Sequence, residues 1–274
     1  MIRRVFSGAR RELTVLGPFQ PKTGLSERFN KSPLLNKLIR RDDKVDFFVT
    51  GENHPPRFAG AHKQIGFWRG FPNRTDVFRF PYWKWYLDWP EMPDLPPYPR
   101  FGTRLCIDQL MRPIEASYSA QQLARRSVNA IMLSRHLVRP RKRLYRLTDD
   151  MIGCSGFGGA FGKDDRSAPK MPMLQNFRFS LCPENSIGDG YITEKIPEAF
   201  YSGCVPISWC RPEDLAEDFN PRAVLNLYGL NDDECLEVLL RLKTDSGFYK
   251  SFIREPLLLK KPSLTPLLNF IHGS

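Results

Sequence analysis

Along this chain, apolar and polar positions fall into blocks whose period shifts between that of a strand and that of a helix. "ELTVLGPF" (12–19) reads as a strand and a turn. "SPLLNKLIRR" (32–41) repeats apolar residues at Leu34, Leu35, Leu38 and Ile39 and closes on basic residues, which predicts a helix. "KVDFFVTGEN" (44–53) is an apolar strand running into a glycine turn. This β-α-β succession is the unit of a parallel sheet.

The second half continues the alternation. Helices are predicted over 119–127, 141–150, 193–203, 212–219 and 233–243. Strands are predicted at "VNAIMLS" (128–134), "FRFSLCPEN" (177–185), "CVPISWC" (204–210) and "AVLNLYGL" (223–230). Gly203 stands where a helix commonly ends on a left-handed residue. Between the halves lies an aromatic stretch (65–101) that ends in Pro90, Pro93, Pro96, Pro97 and Pro99 and reads as an extended connector. The predicted fold class is α/β, with two doubly wound Rossmann-like domains facing across a cleft. Residues 1–115 form the first domain, including the connector 86–115. Residues 116–274 form the second, with a last helix expected to pack back on the first.

Composition supports a packed protein: hydrophobic residues make up 41% of the 274 residues and aromatics 12%. A net charge of +11 favours an anionic partner, whether nucleic acid, membrane surface or phosphorylated small molecule. The six cysteines form no Cys-x-x-Cys pair and there are four histidines, a poor basis for a zinc site. Buried free thiols and a reducing, cytoplasmic setting are expected. The basic start lacks the apolar run of a signal peptide, and no run approaches the ~20 apolar residues of a spanning helix. A peripheral contact with the inner face of an anionic membrane fits the charge.

One segment concentrates polar chemistry between two apolar runs: "FSLCPENSIGDGYITEKIPEAF" (179–200). Glu184 and Asn185 sit at a strand end. Tyr191, Glu194 and Lys195 sit at the mouth of the next helix, and in open α/β sheets ligands bind beyond the carboxyl ends of the strands. A helix N-terminus attracts anions, so a lysine there is unfavourable unless an anion offsets it. Gly188 and Gly190 allow a tight loop. A lone Thr-Glu-Lys at a helix start is more often structural; it is the density of the whole segment that argues for a site.

"FSLCPENSIGDGYITEKIPEAFYSGCVPISW" (179–209) resembles the signature of the family 10 α-1,3-fucosyltransferases, and "EDFNPRAVLNL" (217–227) resembles the next segment in bacterial members. "FFVTGENHPP" (47–56) resembles that family's Thr-Gly-Glu-Asn strand end, and "IGFWRGFPNRTDVFRFPYW" (65–83) the segment after it. "MLSRHLVRPRKRLYRL" (132–147) resembles, less closely, a strand end succeeded by a helix-opening arginine. Pro183, Arg135 and Cys210 depart from the family pattern.

The resemblance implies the GT-B type of this two-domain fold, and transfer of L-fucose from GDP-fucose to a hydroxyl of an acceptor oligosaccharide or glycolipid, in an α-1,3-type linkage with inversion. It implies Glu52 as the base and Glu194 as a second catalytic carboxylate, and donor contacts from Arg141, Asn185, Tyr191, Glu194 and Lys195. No cofactor or metal is required, with Mn²⁺ allowed as a stimulator. On spacing alone Glu52 reads more readily as a turn cap than as a base, and Arg139 and Arg143 rival Arg141. Trp68, Phe71, Tyr82, Trp83, Trp85 and Trp89 are candidates for stacking on acceptor sugars, with packing as the alternative. Three other readings stay open: the same scaffold with another nucleotide sugar, an inactive glycan-binding relative, and a basic nucleic-acid-binding module.

Overall fold

A computed structural model describes residues 15–16, 45–56, 61–163 and 168–272. The helix expected over 32–41 lies outside the described residues. The chain divides into two compact units, one of residues 1–85 with 264–274 and one of residues 86–263.

The first unit holds a parallel sheet of β1 (Val15–Leu16), β2 (Val45–Val49), β3 (Ala61–Gly66) and β4 (Val77–Arg79), paired in chain order. Phe47, Phe48, Val49 and Ile65 are buried on it. The helix Thr265–His272 counts with this unit, and Lys63 Nζ donates to the Phe270 carbonyl at 2.9 Å. Trp68, Trp83 and Trp85 are core residues, so packing, not sugar stacking, accounts for them; Trp68 Nε1 also donates to the His54 carbonyl at 2.8 Å.

The second unit carries five parallel strands: β7 (Ser127–Leu133), β8 (Cys154–Phe157), β9 (Phe177–Leu181), β10 (Val205–Ser208) and β11 (Leu225–Asn226). Their order is β11-β10-β9-β7-β8. The chain moves outward from β7 to β8, then crosses back to β9 and continues the other way. Strand order therefore reverses between β7 and β9, which is the topological switch point of a doubly wound sheet and its usual ligand crevice. Ala130, Ile131, Met132, Phe179, Leu181, Val205 and Ile207 are all buried, as expected of strands covered on both faces.

Helices fill the crossovers. Arg139–Ile152 turns Arg141, Leu144, Leu147, Thr148 and Ile152 inward and stops at Gly153, whose φ is 76°. Asp232–Thr244 begins with a capping box between Asn231 and Glu234, and Asp232 ties it to Arg143 at 2.6 Å. Lys195–Tyr201 ends with Gly203 at φ 81°, the left-handed residue expected there.

The stretch 86–115, read from sequence as a connector of the first domain, folds with the second unit. β5 (Leu87–Asp88) pairs in parallel with β6 (Leu105–Cys106), and Leu87, Trp89, Phe101 and Leu105 are buried there. Apolar anchoring of a proline-rich segment moves the boundary to residues 85–86. Cys154, Cys182, Cys204, Cys210 and Cys235 are buried free thiols, and Cys106 is half-buried. Among the described residues, no helix is long and apolar enough to cross a membrane.

Candidate active site

The switch point brings together the residues around the polar segment. β9 delivers Glu184 to the crevice three residues beyond its end, and the next loop returns to place Thr193 against it. Glu184, 1% exposed, accepts at Oε1 from Thr193 N at 2.8 Å and from Thr193 Oγ1 at 2.9 Å. Its Oε2 accepts from Lys195 Nζ at 2.6 Å, and Lys195 also reaches Thr193 Oγ1 at 2.6 Å. The lysine at the helix mouth is thus offset by an anion from the chain itself.

Arg141 bridges the two strand ends that flank the reversal. Its Nε and Nη2 donate to the Pro183 carbonyl at 3.3 and 3.2 Å, beyond β9. Its Nη1 donates to Ser134 Oγ at 3.1 Å and to the His136 carbonyl at 3.3 Å, beyond β7. It is 5% exposed. A guanidinium carries five N–H groups, so one on Nη2 is left over. Burial lowers the Arg141 pKa, against the pull of Glu184, Tyr191 and Glu194. Those same three carboxyl and phenol groups are therefore its electrostatic neighbours.

The glycine loop is gripped from β10's side. Asp214 Oδ1 accepts from Gly190 N at 2.9 Å, and Arg211 holds Asp214 at 2.8 Å while reaching the Gly188 carbonyl at 3.3 Å and Asp189 at 3.2 Å. Gly190 has φ 76° and needs to be glycine; Gly188 keeps an ordinary φ. Tyr191 is buried, its N–H bonded to the Gly188 carbonyl at 3.1 Å, whereas Asn185 is exposed on the rim.

Glu194 faces a cation that the hydrophobic pattern and the motif do not reveal. Lys170, from the short helix Lys170–Leu174, lies with Nζ 2.6 Å from Glu198 Oε2 and 3.6 Å from Glu194 Oε1. Burial would raise Glu194, but Lys170 and Lys195 outweigh it and hold the carboxyl at about 2. Burial pushes Glu198 up to about 7, with the Glu194 charge adding to the shift and Lys170 opposing it.

Of the sequence-predicted residues, Arg141, Tyr191, Glu194 and Lys195 converge at the switch point, with Asn185 at its edge. Glu52 lies in the other unit, just after β2, in a turn where Thr50 Oγ1 donates to its carbonyl and accepts from its N–H, each at 3.1 Å. Gly51 beside it is required by a close approach: a Cβ there would collide with the Tyr82 ring. Lys170, Glu198, Arg211 and Asp214 are not among the sequence-predicted residues. Glu198 had a signal, since it stands one helical turn from Glu194. Lys170 had none, lying in a stretch without clear periodicity.

Comparison with known proteins addresses the same region. Residues 123–254 match the model of glycosyltransferase family 10 (fucosyltransferase), C-terminal part, and so contain the whole switch point. Residues 123–254 belong to glycosyltransferase family 10. An α-(1,3)-fucosyltransferase FucT from Helicobacter pylori is 38% identical over 87 residues, 31% of this chain and 18% of that protein. The 4-galactosyl-N-acetylglucosaminide 3-α-L-fucosyltransferase 9 of Homo sapiens is 32% identical over 81 residues, 30% of this chain and 23% of its own length. The matched segments thus span about a fifth of these curated relatives. A crystal structure of an α1,3-fucosyltransferase aligns over 97% of this chain and 92% of its own, with TM-score 0.64 and 20% identity. Another, with GDP-fucose, aligns equally well. At that identity the likeness shows the fold alone.

Proposed function

We propose that this chain is an inverting fucosyltransferase that moves L-fucose from GDP-fucose to a hydroxyl of an acceptor oligosaccharide or glycolipid, in an α-1,3-type linkage. The observation that carries the reading is the position of the family 10 signature. Its polar residues converge with Arg141 on the reversal between β7 and β9, where such sheets bind nucleotides.

In this scheme the acceptor oxygen bonds to the anomeric carbon as the bond from that carbon to the diphosphate breaks, and GDP leaves. Glu52 takes the acceptor proton, a contribution of roughly 10²–10⁴-fold in such steps. Lys195 and the remaining N–H of Arg141 meet the growing negative charge on the diphosphate. Glu194, ionised, faces the positive charge developing on the sugar. Tyr191 and Asn185 address the nucleotide ribose and the donor sugar. The scheme needs no metal, because side-chain cations stand at the diphosphate; a chelator would leave the rate within a small factor and Mn²⁺ would act only as a stimulator. A cytoplasmic site of action, with peripheral contact to an anionic membrane, fits the net charge of +11.

The test compares nucleotides first. GDP is expected to raise the melting temperature more than UDP, CMP or ADP, and a panel of sugar nucleotides is expected to yield transfer from GDP-fucose alone. Glu52→Gln should keep the GDP shift and lose transfer, whereas Lys195→Ala should lose both. Equal shifts with all four nucleotides would overturn the donor assignment, and normal transfer by Glu52→Gln the base assignment.

A further inference from the structure

Glu194 and Glu198 stand one helical turn apart, so two carboxylates share one face at the start of a seven-residue helix. Like charges at that spacing repel. Lys170 lies against both, at 3.6 and 2.6 Å, and it arrives from a separate helix whose first N–H groups bond to the carbonyls of Arg100 and Phe101. Glu198 is 2% exposed, and its Oε1 has no hydrogen-bond partner. A buried carboxylate oxygen without a partner is costly unless it carries a proton.

From this arrangement we infer that Lys170 is a positioning residue for Glu194, anchored on Glu198 so that its ammonium holds the Glu194 carboxylate ionised and aimed at the donor sugar. The inference rests on the fucosyl-transfer reading and adds to it a residue outside the signature. Glu198 is the anchor and not itself a reacting group. The side-chain bond between Lys170 and Glu198 holds the ammonium in place, and the longer approach to Glu194 leaves that carboxylate a free side. The other charges acting on Glu194 are Lys195, Arg100 and Arg141, with Glu184 beyond Lys195. None of these cations bonds to the buried Glu198.

The alternative is that Lys170 merely neutralises a buried glutamate. Three variants separate the two: Lys170→Met, Glu198→Gln and the pair combined. Lys170→Met alone is expected to lose stability because Glu198 is stranded. The combined variant is expected to recover stability and the GDP-induced thermal shift, yet to transfer fucose about 100-fold more slowly at neutral pH. Its rate should fall on acidification at higher pH than in the unaltered protein, because Glu194 then protonates more easily.

Wild-type rate and pH profile in the combined variant would overturn the inference. Should it fail to fold, Lys170→Arg serves, because it keeps the charge and changes its geometry. A lowered kcat with unchanged KM for GDP-fucose is expected, and an unchanged kcat would overturn the role. A ¹³C NMR titration of the Glu194 carboxyl reads the same contact without activity: its midpoint rises in the combined variant, and a midpoint that does not move refutes the inference. If the unaltered protein transfers no fucose while that midpoint does rise, the fucosyl-transfer reading fails and the Lys170–Glu194 contact stands.

Discussion

Glu184 Oε2 and Lys195 Nζ lie 2.6 Å apart across the mouth of the helix after β9, with Thr193 bonded to both. The pair explains how a lysine occupies a first helical turn, where the backbone partial charge is positive. It also fixes where the Lys195 ammonium stands, so that in the proposed reaction the diphosphate would meet a charge already held by its own loop.

Removing one side of that pair tests it. Glu184→Ala strips Thr193 of its acceptor and leaves the partly buried Lys195 ammonium without its charged partner, bonded only to the neutral Thr193 hydroxyl. A loss of about 3 kcal/mol is expected in urea unfolding, the lower end of the range for broken buried pairs because Lys195 keeps some solvent contact. GDP binding should weaken in parallel. A loss below about 1 kcal/mol would show that the brace contributes no more than a surface pair.

Stability should vary with pH in a way set by Glu194 and Glu198. Burial raises Glu198 from 4.5 to about 7, so the folded state holds its proton more tightly than the unfolded chain does. The stability this contributes is complete below 4.5 and is lost as pH rises to about 7. Glu194 runs the other way: held at about 2, chiefly by Lys170 and Lys195 against burial, it contributes stability that is present above 4.5 and lost as pH falls. Glu198→Gln removes the first dependence. Its stability relative to the unaltered protein should rise between pH 4.5 and 7, by up to about 3 kcal/mol, and then level off. Parallel stability curves across that window would show that Glu198 does not titrate there.

Gly190 holds φ 76° while its N–H bonds to Asp214. Gly190→Ala is expected to cost about 1–2 kcal/mol, the penalty for a side chain in the left-handed region. Amide exchange in the 188–191 loop should accelerate. The same substitution at Gly188, where φ is ordinary, carries no such penalty.

Gly51 is a glycine because Tyr82 lies over it. Gly51→Ala should destabilise the first unit by about 1–3 kcal/mol through overpacking. Combined with Tyr82→Leu, which makes room, the loss should be less than the sum of the two single losses. Additivity within about 0.5 kcal/mol would refute the contact.

Much of the second unit was legible in the residues. β7, β9, β10 and β11, and the helices over 139–152, 195–201, 212–218 and 232–244, all fall where the hydrophobic period predicts them. Short elements were not legible: β5, β6, the helix at 170–174 and the helix at 246–253 carry too few periodic positions to stand out from loops. The aromatic stretch misled for a different reason. Trp68, Trp83, Trp85 and Trp89 are buried, and a ring suited to stacking on a sugar is equally suited to a core.

By itself the sequence determined the α/β alternation, the parallel sheets and the residues that crowd one strand end and helix mouth, because burial period and turn chemistry are local properties of the chain. Only the tertiary structure decided which charges meet there. Lys170 reaches Glu198 across 28 residues, Gly190 reaches Asp214 across 24, and Arg141 joins Pro183 across 42. Strand order sets those pairings, and strand order is set in turn by how the crossovers pack.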